Sequence, residues 1–491
     1  MAADALTTDV VVVGAGPVGM LLAGELAHGG VRVVVVEKRR APSTESRAST
    51  LHARTMEILD SRSLLSEFGD PPNEPRGHFG GIPLDLTLPS SHPGQWKVPQ
   101  TRTEVILGEW ALSLGAELKC GHELTAVDEA GDRVEAEAVG PDGAVLRLRC
   151  RYLVACDGEE STVRRLTGAG FPGRDAAREL LRADVAGIDV PGRRFERLEH
   201  GLAIAARRPD GVTRVMVHEF GSLTRDRPHG AVSFEEIAAV WKRVTGEDIS
   251  GGTPLWANAF GDASRQLTRY RHGRVLFAGD AAHRQMPVGG QALNLGLQDA
   301  FNLGWKLALV VRGKAPQTLL DSYHDERHEV GRQVLANIRA QSLLLLGGPE
   351  VEPLRALLAE LIGQEDVRRH LAGMISGLDV RYDVGGPAHP LLGARLPYAE
   401  ARVRGHLVTT AQLVRSGGGV LLDPAGRPGG RPALLDGWAD RVSVLDARPS
   451  PGGPPEATDR VLVRPDGHVA WAGSGTDGLA EALTRWFGPP R

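Results

Sequence analysis

Cysteine is scarce. Cys120, Cys150 and Cys156 are the three in 491 residues, too few for a disulfide framework, and none has metal-ligand spacing. The expectation is a reducing, cytoplasmic compartment and no metal. Lysine is nearly as rare, six of the 57 basic residues, a compositional bias toward arginine rather than a binding signal. An excess of one charge is also missing: the net charge of −4 excludes a broad electrostatic footprint for nucleic acid or an anionic membrane. Long uninterrupted apolar runs are absent as well. Val10 to Ala27 has the length of a membrane span, but its glycines and Glu25 give it another purpose. The amino terminus lacks the basic stretch and cleavage site of a signal peptide. Glycine is abundant, 62 residues, but it follows no period, which excludes collagen.

At about 150 residues per domain the length implies two to four domains. Asp9 to Val13 reads as a strand buried on both faces, followed by a glycine turn, a helix from Pro17 to His28 and a second buried strand, Val31 to Val36. This is a βαβ opening. Thr50 to Leu59 has a helical pattern, and Asp70 to Gln100 is rich in proline and glycine. Arg133 to Ala138 and Val145 to Arg151 form a hairpin pattern around Pro141-Asp142-Gly143. Strand-like stretches from Ala183 to Glu219 point to a sheet-based second domain. Leu293 to Val311 reads as a buried helix, Gly385 to Pro397 as a linker, and the remainder as a small α/β unit.

The first motif that carries chemistry is Gly14-Ala15-Gly16-Pro17-Val18-Gly19, a G-x-G-x-x-G between strand and helix. Gly14 permits the tight turn, Gly16 lets backbone approach a pyrophosphate, and Gly19 lets helix and strand pack closely. The helix start, with Pro17 in its first turn, offers free N–H groups to phosphate. Glu37, with Lys38 beside it, ends the second strand 18 residues past Gly19, where a carboxylate accepts ribose hydroxyls. A dinucleotide binds here, NAD or FAD. A second match, Gly473 to Gly478, has only 13 residues after it, too few for a returning strand, and reads as a loop.

Two further clusters separate the cofactors. Tyr152 to Gly158 sets Asp157-Gly158 at a strand end. Arg274 to His283 sets Gly279-Asp280 at another, and Pro287-Val288-Gly289-Gly290-Gln291-Ala292-Leu293-Asn294 then leads into the buried helix. Asp280 suits a ribityl or pyrophosphate-side hydrogen bond. Gly289 and Gly290 let N–H groups at the helix start face an electron-rich ring edge.

Together these residues resemble the single-component FAD-dependent aromatic hydroxylases of the para-hydroxybenzoate hydroxylase type. Ser46-Arg47-Ala48, His52 to Glu57, Gly77 to Gly81, Val98-Pro99-Gln100, Asp321-Ser322-Tyr323-His324 with Glu326-Arg327, and Val463 to Trp471 are similar to the branch acting on aromatic polyketides, the angucycline and anthracycline hydroxylases. The resemblance implies an α/β fold: a Rossmann-like FAD-binding domain (1–70, 100–175 and 260–340) interleaved with a sheet-based substrate domain (71–99, 176–259 and 341–390). A thioredoxin-like C-terminal domain without redox cysteines (398–491) follows. It implies FAD held by Gly14, Gly16, Gly19 and Glu37, with Arg47, Gln100 and Asp280 along its phosphate and ribityl parts. Asp157 is linked to both FAD and NADPH, and Pro287 to Asn294 border the ring. One position departs from the family's Gly-Gly-Gln-Gly: Ala292 is tolerated if that residue is right-handed helical and not if it is left-handed.

The implied reaction is oxygen insertion from O2 into a polycyclic aromatic polyketide, an angucyclinone, through a flavin hydroperoxide after reduction by NADPH or NADH. The cofactor does the difficult step, so no side-chain nucleophile is expected. Arg369 and Tyr382 are candidates to stabilise a phenolate, each weighed against a surface or structural role. His78 and Phe79 are candidates to line the pocket, weighed against packing. His283 shapes its loop, and Trp305 belongs to the core. Baeyer–Villiger oxygenation on the same scaffold stays open. A halogenase is disfavoured because no W-x-W-x-I-P element occurs among the eight tryptophans. A non-catalytic flavin-binding pathway scaffold is the alternative of a different class. A homodimer is the family's expectation.

Overall fold

The computed structural model describes residues 5–42, 48–225, 227, 231–403, 406–424, 432–449 and 459–491. The four valines Val10–Val13 form a strand buried on both faces, and this strand sits inside a six-stranded sheet. Its parallel neighbours are Tyr152–Ala155 on one side and Val33–Glu37 on the other, with Val275–Phe277 and Glu117–Cys120 beyond them and the short Arg271–His272 at one edge. Uniformly apolar strands are what a sheet covered on both faces requires. The helix Pro17–His28 covers one face and packs on the helix Gln291–Val311. Two glycines set that approach: a Cβ on Gly296 would lie 2.7 Å from Val18, and one on Gly304 2.4 Å from Glu25.

The middle domain is a five-stranded antiparallel sheet, ordered Arg193–Leu198, Gly201–Arg207, Thr213–Glu219, Glu179–Ala186 and Thr253–Gly261. Its side chains alternate. Leu181, Ala183, Val185, Ala203, Val215 and Val217 pack under the amphipathic helix Phe234–Thr245, capped by Ser233 and ended by Gly246 in the left-handed conformation. Leu180, Leu202, Ile204, Met216 and Phe260 face the other way, toward Met286 and Val288. A period of two thus gives one face to a helix and the other to the FAD-binding side.

Several sequence expectations shift. Residues 50–59 begin as a strand, Thr50–His52, before the helix Ala53–Ser61. The strand pairs with Gln95–Lys97, which also pairs with Asn73–Glu74, so the stretch 71–99 is shared. Its outer strands lie against the FAD-binding part, whereas the hairpin Arg76–Phe79/Ile82–Asp85 packs on the helices Glu352–Ile362 and Glu365–Ser376. The C-terminal domain holds a six-stranded mixed sheet in which Gly419–Pro424 runs parallel to Val442–Pro449 and antiparallel to Arg460–Val463. The helix Leu479–Phe487 completes it. Among the described residues, no helix is long and apolar enough to cross a membrane.

Candidate functional site: a dinucleotide cleft and a glycine-pair turn

Parallel strands in register place their carboxyl ends together. Val13 is level with Ala155 and Val36, and Ala155 with Phe277, so the glycine turn, Asp157-Gly158 and Gly279-Asp280 emerge at one edge of the sheet. That edge is where open α/β sheets bind ligands. Gly14 has φ +101° and a Cβ there would lie 2.4 Å from the Cys156 carbonyl oxygen; a Cβ on Gly19 would lie 2.0 Å from that of Gly14. Gly16 differs. A Cβ there meets nothing within 4 Å, and it opens the helix Pro17–His28 without any side-chain cap. The turn is tight where chain meets chain and open where a phosphate would approach, which fits a dinucleotide.

Glu37 is buried at the end of its strand and accepts from the Ala15 N–H at 2.8 Å and from the N–H and Nε of Arg39 at 2.8 and 3.1 Å. Burial works against its charge, yet these donors and the Arg39 charge hold the carboxyl below its usual range. The acid therefore braces the glycine turn. Lys38 is exposed. Gln100 opens the helix Gln100–Ser113 and donates to Glu104 at 2.9 Å. Arg47 lies outside the described residues. Asp157 accepts from the Val163 N–H at 3.1 Å through one oxygen and leaves the other buried without a partner; burial pushes its carboxyl up. Asp280 is exposed at the mouth of the cleft, on a turn whose Gly279 has φ +64° against Val18.

Gly289 and Gly290 are consecutive left-handed residues, φ +65° and +69°, at the start of Gln291–Val311. Ala292 is the second residue of that helix, right-handed, so the departure from a fourth glycine is accommodated without strain. The turn is clamped by Asn294, the last residue of the motif, and by His52, which lies outside it. His52 Nε2 lies 2.8 Å from the Gly289 carbonyl, and the Asn294 amide accepts from the His52 N–H at 2.9 Å while donating to Thr50 and Gly290 carbonyls at 3.0 and 2.6 Å. Burial holds His52 neutral, down to about 4, so its Nε2 carries the proton that the carbonyl accepts. Around this turn, His52 Nδ1, Gln291 Nε2 and both amide atoms of Gln285 are buried without partners. Such groups are costly unless something polar fills the space beside them. Pro287 is exposed, and Leu293 is partly buried against the main core.

His78 and Phe79 part company. The His78 ring lies 4.0 Å from that of Phe195 and accepts the Gly81 N–H at 3.1 Å, with burial holding it neutral, down to about 3. Phe79 is core, packed with Ile82, Leu84 and Ile362. Phe195 itself has φ +53°, strained backbone for an aromatic residue, at a bulge facing the FAD-binding side. No sequence signal marks it. Arg369 is exposed on the helix Glu365–Ser376. Tyr382 is buried and its hydroxyl accepts from Arg327 at 3.1 Å, which commits it to the interior.

That arginine belongs to a continuous charged seam. Asp299 accepts from Arg327 Nε and His283 Nε2, each at 2.7 Å, and from the Gly279 N–H at 3.2 Å. Burial opposes its ionisation, but Arg327 and His283 hold it below the usual carboxylate range. The residue before Arg327, Glu326, takes Lys306 at 2.7 Å and Arg464 at 2.5 and 2.9 Å, and Arg464 also reaches Asp466. Tyr323 donates to the Phe277 carbonyl at 2.7 Å. The motifs Asp321–Arg327 and Val463–His468 are thus the fastening between the C-terminal domain and the Gly279-Asp280 turn.

Comparisons agree with this geometry. Residues 7–338 match the family described as FAD binding domain, and residues 389–490 the one described as aromatic-ring hydroxylase, C-terminal. A 12-dehydrotetracycline 5-monooxygenase/anhydrotetracycline 6-monooxygenase of Streptomyces rimosus is 41% identical, covering 98% of this chain and 99% of that protein. The solved structure of CabE, an aromatic hydroxylase from angucycline biosynthesis, superimposes with a TM-score of 0.93 at 48% identity, covering 99% of this chain and 100% of that one. A dialkyldecalin synthase of Streptomyces rugosporus is 38% identical over 99% of this chain and 100% of that protein. The fold and cleft define a flavoprotein of the aromatic-ring hydroxylase class. The chain belongs to that family: it binds FAD and is a flavin-dependent monooxygenase.

Proposed function

We propose that the chain inserts one oxygen atom from O2 into a polycyclic aromatic polyketide of the angucyclinone type, with NADPH as reductant, in the cytoplasm. The observation that carries this reading is the clamped glycine pair beside unpartnered polar groups, facing the apolar side of the middle sheet. Bound at the cleft, FAD would supply reduction by a nicotinamide and activation of oxygen. Gly14, Gly16, Gly19, Glu37, Gln100, Asp157 and Asp280 would hold it, with Arg47 as an expected phosphate contact.

The chain's own part is orientation and dryness. Gly289 and Gly290 turn the first N–H groups of the helix Gln291–Val311 toward the cleft, where donors and dipole favour negative charge on a ring edge. His52 and Asn294 keep that turn from relaxing. Leu180, Leu202, Ile204, Met216 and Phe260 pack with Met286 and Val288 in one apolar layer beside the turn, which would keep water from a flat, poorly hydrated substrate there. His78 and Phe195 stand at the edge of that layer and offer ring faces to an aromatic. Arg369 and Tyr382 take no part in this reading.

The test is product mass spectrometry after turnover of tetracyclic substrates with NADPH under labelled oxygen. One labelled atom without ring opening supports hydroxylation. A labelled lactone points to Baeyer–Villiger insertion, and unlabelled product, or NADPH oxidation indifferent to aromatics, overturns oxygenation.

A further inference from the structure

On the outer side of the strand that leads into the glycine-pair turn lies a cleft of about 430 Å³, lined by Arg174, Ser264, Gln266, Arg332, Leu335 and Arg339 among others. Its walls follow from the fold. Gly173–Arg174 pairs with Ser264–Gln266, which pairs with His283–Arg284, four residues short of Gly289. The opposite wall is one face of the helix Asp321–Leu346, where positions 332, 335 and 339 recur at helical spacing. The next residues of the same helix, Asn337 and Gln341, belong to the hydrogen-bonded chain reaching Gln291. The cleft and the cofactor turn thus share a strand and a helix.

Its charge is unusual for this molecule. The side chains of Arg174 and Arg339 make no hydrogen bond or ion pair with another described residue, and Arg332 meets only Glu329 in an exposed pair, an interaction of little worth in water. Elsewhere arginines are mostly taken up: Arg265, on the neighbouring strand, is bound to Asp175 and the Phe171 carbonyl. The whole chain is net negative, so a concave site with two unneutralised guanidiniums is a local feature. Guanidinium groups beside apolar Leu335 match a ligand that joins phosphate to a flat ring, and the volume lies within the range of small-molecule sites.

We propose that this cleft takes the adenosine bisphosphate half of NADPH, with the 2′-phosphate between Arg174 and Arg339. The inference rests on the proposed reductant and places its recognition outside the FAD cleft. Adenosine 2′,5′-bisphosphate is the probe, titrated calorimetrically into the FAD-loaded wild type, R174Q/R339Q and R174K/R339K. Both pairs are exposed, and the flavin spectrum checks that each variant is folded. Affinity for the probe falls about tenfold or more in the glutamine variant and recovers in the lysine variant. The KM for NADPH rises by a similar factor, whereas the KM for NADH and kcat stay within about twofold. Unchanged probe affinity in the glutamine variant overturns the assignment. So does inorganic phosphate binding as tightly as the probe, the mark of a generic anion site. FAD-loaded wild type that oxidises neither nicotinamide overturns the proposed reductant instead, a result distinct from normal turnover with an unaffected variant.

Discussion

The charged seam and the glycine-pair turn are both buried, both polar and joined through the helix Gln291–Val311, yet they are built on opposite terms. In the seam, Asp299, Lys306, Glu326, Arg327, Arg464 and Asp466 each face an opposite charge. At the turn, His52, Gln285 and Gln291 hold buried atoms that face nothing. The seam pairs its buried charges and leaves open only a few atoms at its margins, such as Asn302 Oδ1 and Trp305 Nε1, whereas the turn gathers four open polar atoms and no charge pair.

The sharpest way to break the contrast is Glu326→Ala. Removing one partner strands Lys306 and Arg464 in the interior, and unfolding free energy in urea should fall by about 3–5 kcal/mol. FAD affinity measured below the transition should change far less.

The second prediction concerns pH. His52 is held neutral, near 4 instead of 6.5, so between those values the unfolded chain binds more protons than the folded one. Stability is therefore present above pH 6.5 and lost as pH falls toward 4, by up to about 3 kcal/mol from this residue. His468 titrates in the same sense, down to about 4, so the measurement is the difference in pH slope between wild type and His52→Gln. Equal slopes would remove His52 as the neutral clamp.

Gly16→Ala sharpens the contrast at the ligand side. Its Cβ meets no protein atom, so the apoprotein melts as before, while FAD dissociation rises about tenfold, about 1.4 kcal/mol. Flavin fluorescence on titration reads it. The smallest effect belongs to Ala292→Gly. At a right-handed helical position the change costs at most about 1 kcal/mol and leaves the flavin content unaltered.

Much of this was legible beforehand. Val10 to Val13, Gly14 to Gly19 and Glu37 are contiguous signals, because strand, turn and helix start are local and their residue types are dictated by local sterics. Ala292 was legible only as a question, since its handedness depends on where the helix begins. His52 and Phe195 were not legible as site residues: one acts across 237 positions on Gly289, the other through an unusual φ that no side-chain type announces. Tyr382 was weighed between a phenolate partner and a structural residue, and the local sequence did not choose between them, because its hydrogen-bond partner Arg327 lies 55 residues away.

The amino-acid order by itself determined the βαβ opening, the three strand-end motifs and the helix that follows the glycine pair, since each depends on hydrophobic period and backbone freedom over a few residues. The tertiary structure alone decided which acids and bases meet in the seam, which polar atoms remain open at the turn, and that Arg174 shares a cleft with Arg332 and Arg339 of a distant helix. Contacts of that kind arise when separate elements pack, and their energies depend on burial and on partners that neighbouring residues do not specify.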